Sequence, residues 1–318
     1  MPALWTILGI LSTLAVLTLI TAFICFRLTF FVKEADKTPK SEFDIPPGEE
    51  FLKHREDMIA WMTEVRALKH EELFITSHDG LRLRARFFDF GENTPIEIML
   101  HGYRGNADRD LSGGVIRARA LGHSVLLIDH RAAGKSEGNV ITFGVLEKRD
   151  ALLWASLIAE RFPQRKIILT GISMGAATVM MCAKEALPQN VVGILADCGY
   201  TSPRAIISKV LDEDLHLPSR VFYPFVYLGA RLFGGFDLHD APPVEALAAA
   251  RVPVLFFHGD TDGFVPSKMS EENFAACAAE KKLVFIEGAG HGLAYPVNKE
   301  KYLSEMRAFF SPLLYEEK

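Results

Sequence analysis

The chain has 318 residues, of which 49% are hydrophobic and 24% charged, so it can bury a core of ordinary size and is excluded from the disordered class. A formal net charge of -5 leaves no broad basic surface, which excludes nucleic acid as an expected partner. Four scattered cysteines lack the spacing of a zinc or redox motif, so inert thiols are expected, without a bound metal.

The first predicted element is a membrane-spanning helix. Ala3 to Phe26 form a run of 24 uncharged residues. At ~1.5 Å per residue such a helix reaches ~36 Å, which exceeds a hydrocarbon layer of ~30 Å. A cleaved signal peptide is the alternative, but the segment lacks a basic start, a short apolar core and a small-residue cleavage site. We therefore expect an uncleaved single-pass anchor, residues 1–31, with the lipid bilayer as a partner.

The charges beside this segment predict its orientation. No lysine or arginine precedes it, whereas four basic residues follow it: Arg27, Lys33, Lys37 and Lys40. Basic residues are retained on the cytoplasmic side of membranes, so we expect the rest of the chain there.

Residues 32–69 are predicted to form a tether followed by a short amphipathic helix. Three prolines and mixed charges over residues 32–48 oppose a continuous packed element. The next run, EEFLKHREDMIAWMTEVRAL, places its apolar residues near one helical face: Phe51, Met58, Trp61, Met62 and Val65. This face is expected to pack on the folded domain, with the membrane surface as the alternative.

The remainder, residues 70–318, alternates between strand and helix patterns. LFITS and LRLRARFF flank a hairpin turn at Asp79-Gly80, and six apolar runs follow, beginning near residues 97, 124, 166, 191, 252 and 282. Helical patterns occupy about 106–121, 145–162, 174–187, 268–280 and 298–314. Strands that are apolar throughout are buried on both faces. The pattern predicts an α/β fold with a mostly parallel eight-stranded sheet, helices on both faces and an antiparallel hairpin at its edge.

The interval 200–250 is too long for a structureless loop between two strands. It is rich in aromatic residues, among them Tyr200, Phe222 and Phe225. We expect a helical insertion that forms a lid over one end of the sheet. Its aromatic side chains either line an acyl-binding pocket or simply pack the lid onto the sheet.

The segment Gly171-Ile172-Ser173-Met174-Gly175 lies between the run KIILT and an alanine-rich helical pattern. In a sharp strand-to-helix turn, side chains two residues before and after the apex collide, and glycine removes the collision. The apex residue, Ser173, is left exposed in a strained conformation at a helix N-terminus that favours negative charge. The placement of the motif therefore indicates a nucleophile.

The partners that a serine nucleophile needs follow in the chain. The run VPVLFFHG precedes Asp260 and Asp262, and KLVFIEG precedes His291 between two glycines. Serine, acid and histidine, each beyond the carboxyl end of a strand, meet at one edge of a parallel sheet. Taken singly, these residues are also common in turns, so the prediction of a triad depends on their joint placement.

A tetrahedral oxyanion needs two hydrogen-bond donors. We expect the backbone N–H of Met174, directly after the nucleophile, and that of Tyr103 in the loop HGYRGN after the run IEIML. His101 in that loop is an alternative base, but its position before the serine favours a structural role in the loop.

HGYRGN, DHRAAGKSEG, GISMG, HGDTDGFVP and GHG, in this order, resemble the α/β-hydrolase superfamily over about residues 70–314. With SHDGLRLRARFF, ITFGVLEKRDALLW and the N-terminal span, the chain is similar to membrane-anchored bacterial serine hydrolases related to the S33 aminopeptidase-like and prolyl-oligopeptidase-like families. The resemblance implies the α/β-hydrolase fold, with Ser173 as nucleophile, His291 as base and Asp262 as acid. It also implies structural roles for Asp129, Arg131, Gly134 and Ser136.

A serine at the apex of the sharp turn indicates acyl transfer. We expect a hydrolase of the carboxylesterase or lipase type that cleaves a small-molecule carboxylic ester or thioester through an acyl-enzyme, with no cofactor. A serine peptidase or amidase of the same fold and a non-catalytic membrane-tethered binding module are the alternatives. The physiological substrate and the oligomeric state are left open.

Overall fold

A computed structural model describes residues 2–37, 41–240 and 242–315. Lys40, one of the basic residues used to predict orientation, lies outside these ranges, as do the last three residues of the predicted domain.

Three helices precede the sheet. Helix α1, Pro2–Thr29, is followed by a 3₁₀ turn at Glu34–Asp36, then by α2, Glu49–Leu52, and α3, Arg55–Ala67. Among the described residues, α1 is the one helix long and apolar enough to cross a membrane, and its most apolar part is almost entirely exposed. The single amphipathic helix predicted near residues 49–68 is thus two helices, and α3 packs on the domain through the buried Met62 and Val65.

Eight strands form one sheet: β1 Glu71–Thr76, β2 Arg82–Phe88, β3 Ile96–Leu100, β4 Ser124–Ile128, β5 Ile167–Ile172, β6 Val191–Asp197, β7 Val254–Gly259 and β8 Lys281–Ile286. Their order is β1-β2-β4-β3-β5-β6-β7-β8. The pairs β1/β2 and β2/β4 are antiparallel and the others are parallel. This confirms the predicted sheet and its antiparallel edge hairpin.

Nine further helices complete the described fold: α4 Ala107–Ala120, α5 Glu147–Arg161, α6 Met174–Met181, α7 Pro203–Lys209, α8 Ser219–Gly229, α9 Pro243–Leu247, α10 Lys268–Ala276, α11 Ala294–Val297 and α12 Lys299–Leu314. Successive residues of a strand point to opposite faces. Leu169 of β5 joins the core formed with α5 and α6, whereas its neighbour Ile168 joins the core formed with α12. Helices on both faces, as predicted, bury the central strands such as β3 and β4, whereas the edge strand β1 is largely exposed.

The insertion between β6 and β7 is helical, as expected. It contains α7, a π-helical turn at Val210–Asp214, α8, a second π-helical turn at Ala230–Gly234, and α9. Helix α8 packs against the end of α1, where Phe26 is buried. We call residues 200–250 the lid.

The chain that leaves α1 is attached to the domain, a contact that the sequence did not indicate. Phe30 is fully buried, and the Val32 N–H donates to the Asn139 carbonyl oxygen at 2.8 Å. Phe31 pairs with Val140 in an antiparallel bridge. Helix α1 therefore has a fixed place on the domain, and the segment predicted to be a tether is bonded to the domain at its first residue, Val32.

Candidate active site

Ser173 stands at the apex of a sharp turn between β5 and α6. Its φ and ψ are 56° and −116°, a backbone conformation that residues other than glycine rarely adopt. A Cβ on Gly171 would lie 2.2 Å from the carbonyl group of Gly175, and a Cβ on Gly175 would lie 2.1 Å from the Leu100 carbonyl oxygen. Glycine is therefore required at both positions, as predicted, and the turn holds the Ser173 side chain at the sheet edge.

The structure brings Ser173, His291 and Asp262 together. The Ser173 Oγ lies 2.8 Å from His291 Nε2, and His291 Nδ1 lies 2.7 Å from Asp262 Oδ2. The three residues follow β5, β8 and β7, whose carboxyl ends share one edge of the sheet. A hydroxyl, an imidazole and a carboxylate thus form a continuous hydrogen-bonded chain.

Asp262 is held by several donors. Its Oδ1 accepts the backbone N–H groups of Phe264 and Val265 at 2.9 and 2.8 Å. Burial alone would raise its pKa, but hydrogen bonds from His258 and His291 hold the pKa of the Asp262 carboxyl far below its usual range. The carboxylate is therefore charged at neutral pH. Asp260 is exposed, and its Oδ1 accepts the Gly288 N–H at 2.7 Å, so it shapes a turn.

His258 is a site residue that the sequence reasoning missed. It is fully buried at the end of β7, with Nε2 2.8 Å from the Val265 carbonyl oxygen and 3.1 Å from Asp262 Oδ2. Because both neighbours are acceptors, Nε2 carries the proton, and Nδ1 accepts from Ser270 Oγ at 2.6 Å. His258 thus supports the carboxylate from behind. A histidine within the apolar run VPVLFFHG is the signal that would have indicated it.

The loop after β3 lies beside Ser173. A Cβ on Gly102 would be 3.5 Å from the Ser173 Cβ, so the loop backbone approaches the nucleophile closely. Met174 is the first residue of α6, where backbone N–H groups have no acceptor within the helix. The oxyanion roles of the Tyr103 and Met174 N–H groups stay predictions.

His101 is part of the support for this loop. Its Nε2 accepts the His130 N–H at 3.1 Å, so Nδ1 carries the proton and donates to the Gly102 carbonyl oxygen at 2.9 Å. Burial lowers the pKa of His101, which keeps the ring neutral. Both ring nitrogens are engaged away from Ser173, in agreement with a structural role.

The DHRAAGKSEG segment makes a compact loop below the sheet edge. Arg131 binds Asp150 through two contacts of 2.7 and 2.8 Å and also contacts Asp79. Ser136 Oγ donates to the Asp129 carbonyl oxygen at 2.7 Å, and a Cβ on Gly134 would lie 2.5 Å from the Asp129 carboxyl carbon. These contacts are consistent with the structural roles implied by the resemblance.

Two cavities open beside Ser173. One of about 260 Å³ is lined mostly by apolar residues of the lid and of the end of α1. The other, of about 160 Å³, is lined by residues from α2, α3 and the loop after β3, and it includes Arg109 and Asp110. Tyr200 lines the larger cavity, whereas Phe222 packs against the hydrophobic core and Phe225 is not among the described lining residues. The other lid residues that line the cavity are aliphatic.

Cys198 lies next to the hydrogen-bonded chain. Cys198, Asp262 and His291 offer potential metal-ligand atoms that all lie within 4.8 Å of one another. Asp262 and His291 already bond to each other, and burial raises the pKa of the Cys198 thiol well above its usual value, which opposes the thiolate that metals bind. We therefore assign Asp262 and His291 to the hydrogen-bonded triad with Ser173, and we assign no metal ion to this cluster.

The sequence profile of the Alpha/beta hydrolase family matches residues 98–300, which include Ser173, Asp262 and His291. The chain belongs to this family. Membership of this family supports a hydrolase activity for this chain. An esterase and a peptidase are among the solved structures with a similar fold.

The proteins that are similar to this chain have low sequence identity to it. The uncharacterized protein YqkD of Bacillus subtilis is 28% identical over 190 residues, which cover 59% of this chain and 62% of that protein. An esterase of Pyrococcus furiosus has a TM-score of 0.65 at 22% identity, covering 79% of this chain and 94% of that one. A puromycin-hydrolyzing peptidase of Mycobacterium tuberculosis has a TM-score of 0.62 at 18% identity, covering 79% of this chain and 40% of that one. At these identities the structural likeness establishes the fold alone.

Proposed function

We propose that this hydrolase is a serine esterase that cleaves a carboxylic ester or thioester through an acyl-enzyme. The observation that carries the proposal is the chain of two hydrogen bonds, 2.8 and 2.7 Å long, from Ser173 through His291 to the charged Asp262. Serine is a weak nucleophile until a positioned base removes its proton, and this arrangement supplies the base and orients it.

In the first half-reaction, Ser173 Oγ attacks the substrate carbonyl carbon and its proton passes to His291 Nε2. The negative charge of Asp262 stabilises the imidazolium. The tetrahedral oxyanion accepts hydrogen bonds from the Met174 and Tyr103 N–H groups. As the carbon–oxygen or carbon–sulfur bond breaks, the leaving group takes the proton from Nε2 and departs as an alcohol or thiol.

In the second half-reaction, His291 Nε2 takes a proton from water while the hydroxide attacks the acyl carbon. The bond to Ser173 Oγ breaks, Oγ regains the proton, and a carboxylic acid leaves. The apolar cavity of about 260 Å³ suits the acyl chain. The smaller cavity, which contains Arg109 and Asp110, suits the more polar leaving group.

Labelling by a fluorophosphonate tests the proposal, because this probe reacts only with an activated serine. The wild type is expected to be labelled and Ser173→Ala is not, while kcat for p-nitrophenyl butyrate falls by about 10⁶-fold. Ser156→Ala is the matched control, since Ser156 is exposed on α5 and bonds only to its own helix. Hydrolysis of aminoacyl amides but not esters would favour the peptidase alternative, and unlabelled wild type would favour the binding module.

We further propose that α1 anchors the enzyme in a membrane with the catalytic domain on the cytoplasmic side. Helix α1 has the length and composition of a span, with Arg27 in its last turn and Lys33 and Lys37 after it. A cysteine-accessibility assay on intact cells checks the orientation. Labelling of a cysteine introduced at the exposed Ser156 by a membrane-impermeant reagent would place the domain on the outer side.

A further inference from the structure

The end of the anchor helix forms part of the larger cavity beside Ser173. Leu28 and Thr29 line it together with lid residues such as Ile206, Ile207 and Val226. Most of the lining side chains are buried, but Leu28 is 72%, Leu215 56% and Phe264 39% exposed. The two most exposed of these, Leu28 and Leu215, mark where the cavity opens, so its mouth lies between the last turn of α1 and the lid.

The loop that carries Tyr103 caps the end of the anchor helix. The last carbonyl groups of a helix have no partner within it. Here Tyr103 Oη donates to the Thr29 carbonyl oxygen at 2.6 Å, and the Arg104 guanidinium donates to the carbonyl oxygens of Leu28 and Phe31 at 2.9 and 3.2 Å. A cation at a helix C-terminus is favourable. The position of the anchor is thereby coupled to the loop beside the nucleophile.

The lid also packs tightly on the anchor. A Cβ on Gly229 of α8 would lie 2.5 Å from the Ala22 carbonyl oxygen, so the two helix backbones approach closely. The rings of Phe23 and Phe233 meet edge to face with centroids 5.2 Å apart. The last two turns of α1 therefore form a close packing contact with the lid.

The length of α1 places this contact at the membrane surface. The apolar stretch Ala3–Thr29 has 27 residues, about 40 Å of helix, whereas the hydrocarbon layer is about 30 Å thick. The excess of about 10 Å corresponds to about seven residues. With the span beginning at Ala3, Leu28 lies in the headgroup layer, so the cavity mouth lies at the membrane surface.

We propose that the end of the anchor helix is a wall of the acyl site, and that the substrates are long-chain acyl esters drawn directly from the bilayer through this mouth. The inference rests on the proposed serine hydrolase function. The chain enters between Leu28 and Leu215, the reacting carbonyl reaches Ser173, and the leaving group occupies the smaller cavity. The anchor then determines acyl-chain preference in addition to location.

The test uses the full chain in phosphatidylcholine vesicles with two chromogenic substrates, soluble p-nitrophenyl acetate and bilayer-resident p-nitrophenyl palmitate. Leu28→Glu places a charge at the mouth and removes the contact of one leucine side chain, so kcat/KM for the palmitate is expected to fall by roughly tenfold or more. The ratio of kcat/KM for the palmitate to that for the acetate is expected to fall by a similar factor, because a short chain does not reach the mouth. Leu215→Glu, on the lid side of the mouth, should act in the same way.

Leu232→Glu is the matched control. Leu232 is on the same lid and 54% exposed, but it does not line the cavity. An equal loss of palmitate hydrolysis in Leu232→Glu, or an unchanged ratio of palmitate to acetate in both mouth variants, overturns the inference and leaves the serine hydrolase intact. Absence of Ser173-dependent acetate hydrolysis in the wild type overturns the proposed function and this inference with it.

Discussion

The conformation of Ser173 predicts an inversion in the usual order of alanine and glycine stability. We consider two variants, Ser173→Ala and Ser173→Gly. Both remove the hydroxyl and its hydrogen bond to His291, so both are expected to be inactive and to lose the same contact. They differ only in the backbone, because φ at this position is 56° and ψ is −116°.

The expected magnitude follows from two opposing terms. Strain of this kind costs a residue with a Cβ about 1–3 kcal/mol, and glycine escapes it. Glycine loses more conformational entropy on folding, which costs it about 0.5–1 kcal/mol relative to alanine. The difference favours Ser173→Gly by about 1 kcal/mol, equivalent to about 2 °C in Tm for a domain of this size.

Thermal unfolding of the two purified variants in the same detergent measures this difference. At an ordinary strand or helix position alanine is the more stable residue, so the sign of the difference is the informative result. Exposed Ala275, near the end of α10, offers the comparison, and Ala275→Gly is expected to lower Tm. If Ser173→Ala unfolds at the same temperature as Ser173→Gly or above it, the turn is not strained and the reasoning is wrong.

Two further predictions concern charged groups near the site. Replacing His258 by Phe removes a hydrogen bond to the charged Asp262, worth about 1.5 kcal/mol, so kcat/KM for p-nitrophenyl butyrate should fall by about tenfold; an unchanged kcat/KM in folded protein would show that His258 serves packing alone. The hydrogen bond from Arg131 lowers the pKa of Asp79 from its ordinary value of 3.8 to about 2. A carboxyl group whose pKa is lowered in the folded state stabilises the fold when the pH is above the ordinary pKa of that group. This stabilisation is lost as the pH falls through the lowered pKa. The Tm difference between the wild type and Asp79→Asn should therefore be largest above about pH 4 and disappear near pH 2, and a constant difference contradicts the assignment.

The sharp turn at Ser173 and the strands of the sheet could be predicted because each depends on residues that are close together in the sequence. The collision that requires glycine at 171 is with Gly175, four residues away, and the succession of strands along the chain follows from short apolar runs whose period and length can be recognised in the sequence. Joint placement after strands likewise brought Ser173, His291 and the two candidate acids Asp260 and Asp262 into one prediction, and the family resemblance selected Asp262. These inferences need no knowledge of distant contacts.

Other features depend on pairs of segments that the chain pattern does not connect. His258 reads as one polar residue in an apolar strand until the fold places it 3.1 Å from Asp262. The two alternatives for the aromatic residues of the lid stayed open for a similar reason, because composition does not state which face of a lid helix meets the cavity. Leu28 and Phe222 carry no local signal of which one will line it.

The sequence by itself determined the long apolar helix at the N-terminus, the strained serine turn and the set of groups available for acyl transfer, since each follows from backbone sterics, periodicity or residue chemistry within a short segment. Only the tertiary structure decided that the loop at Tyr103 and Arg104 caps the end of α1, and that this end closes the cavity beside Ser173. Such contacts join residues more than seventy positions apart. Their partners are chosen by how whole helices and sheets pack, and no local pattern encodes that choice.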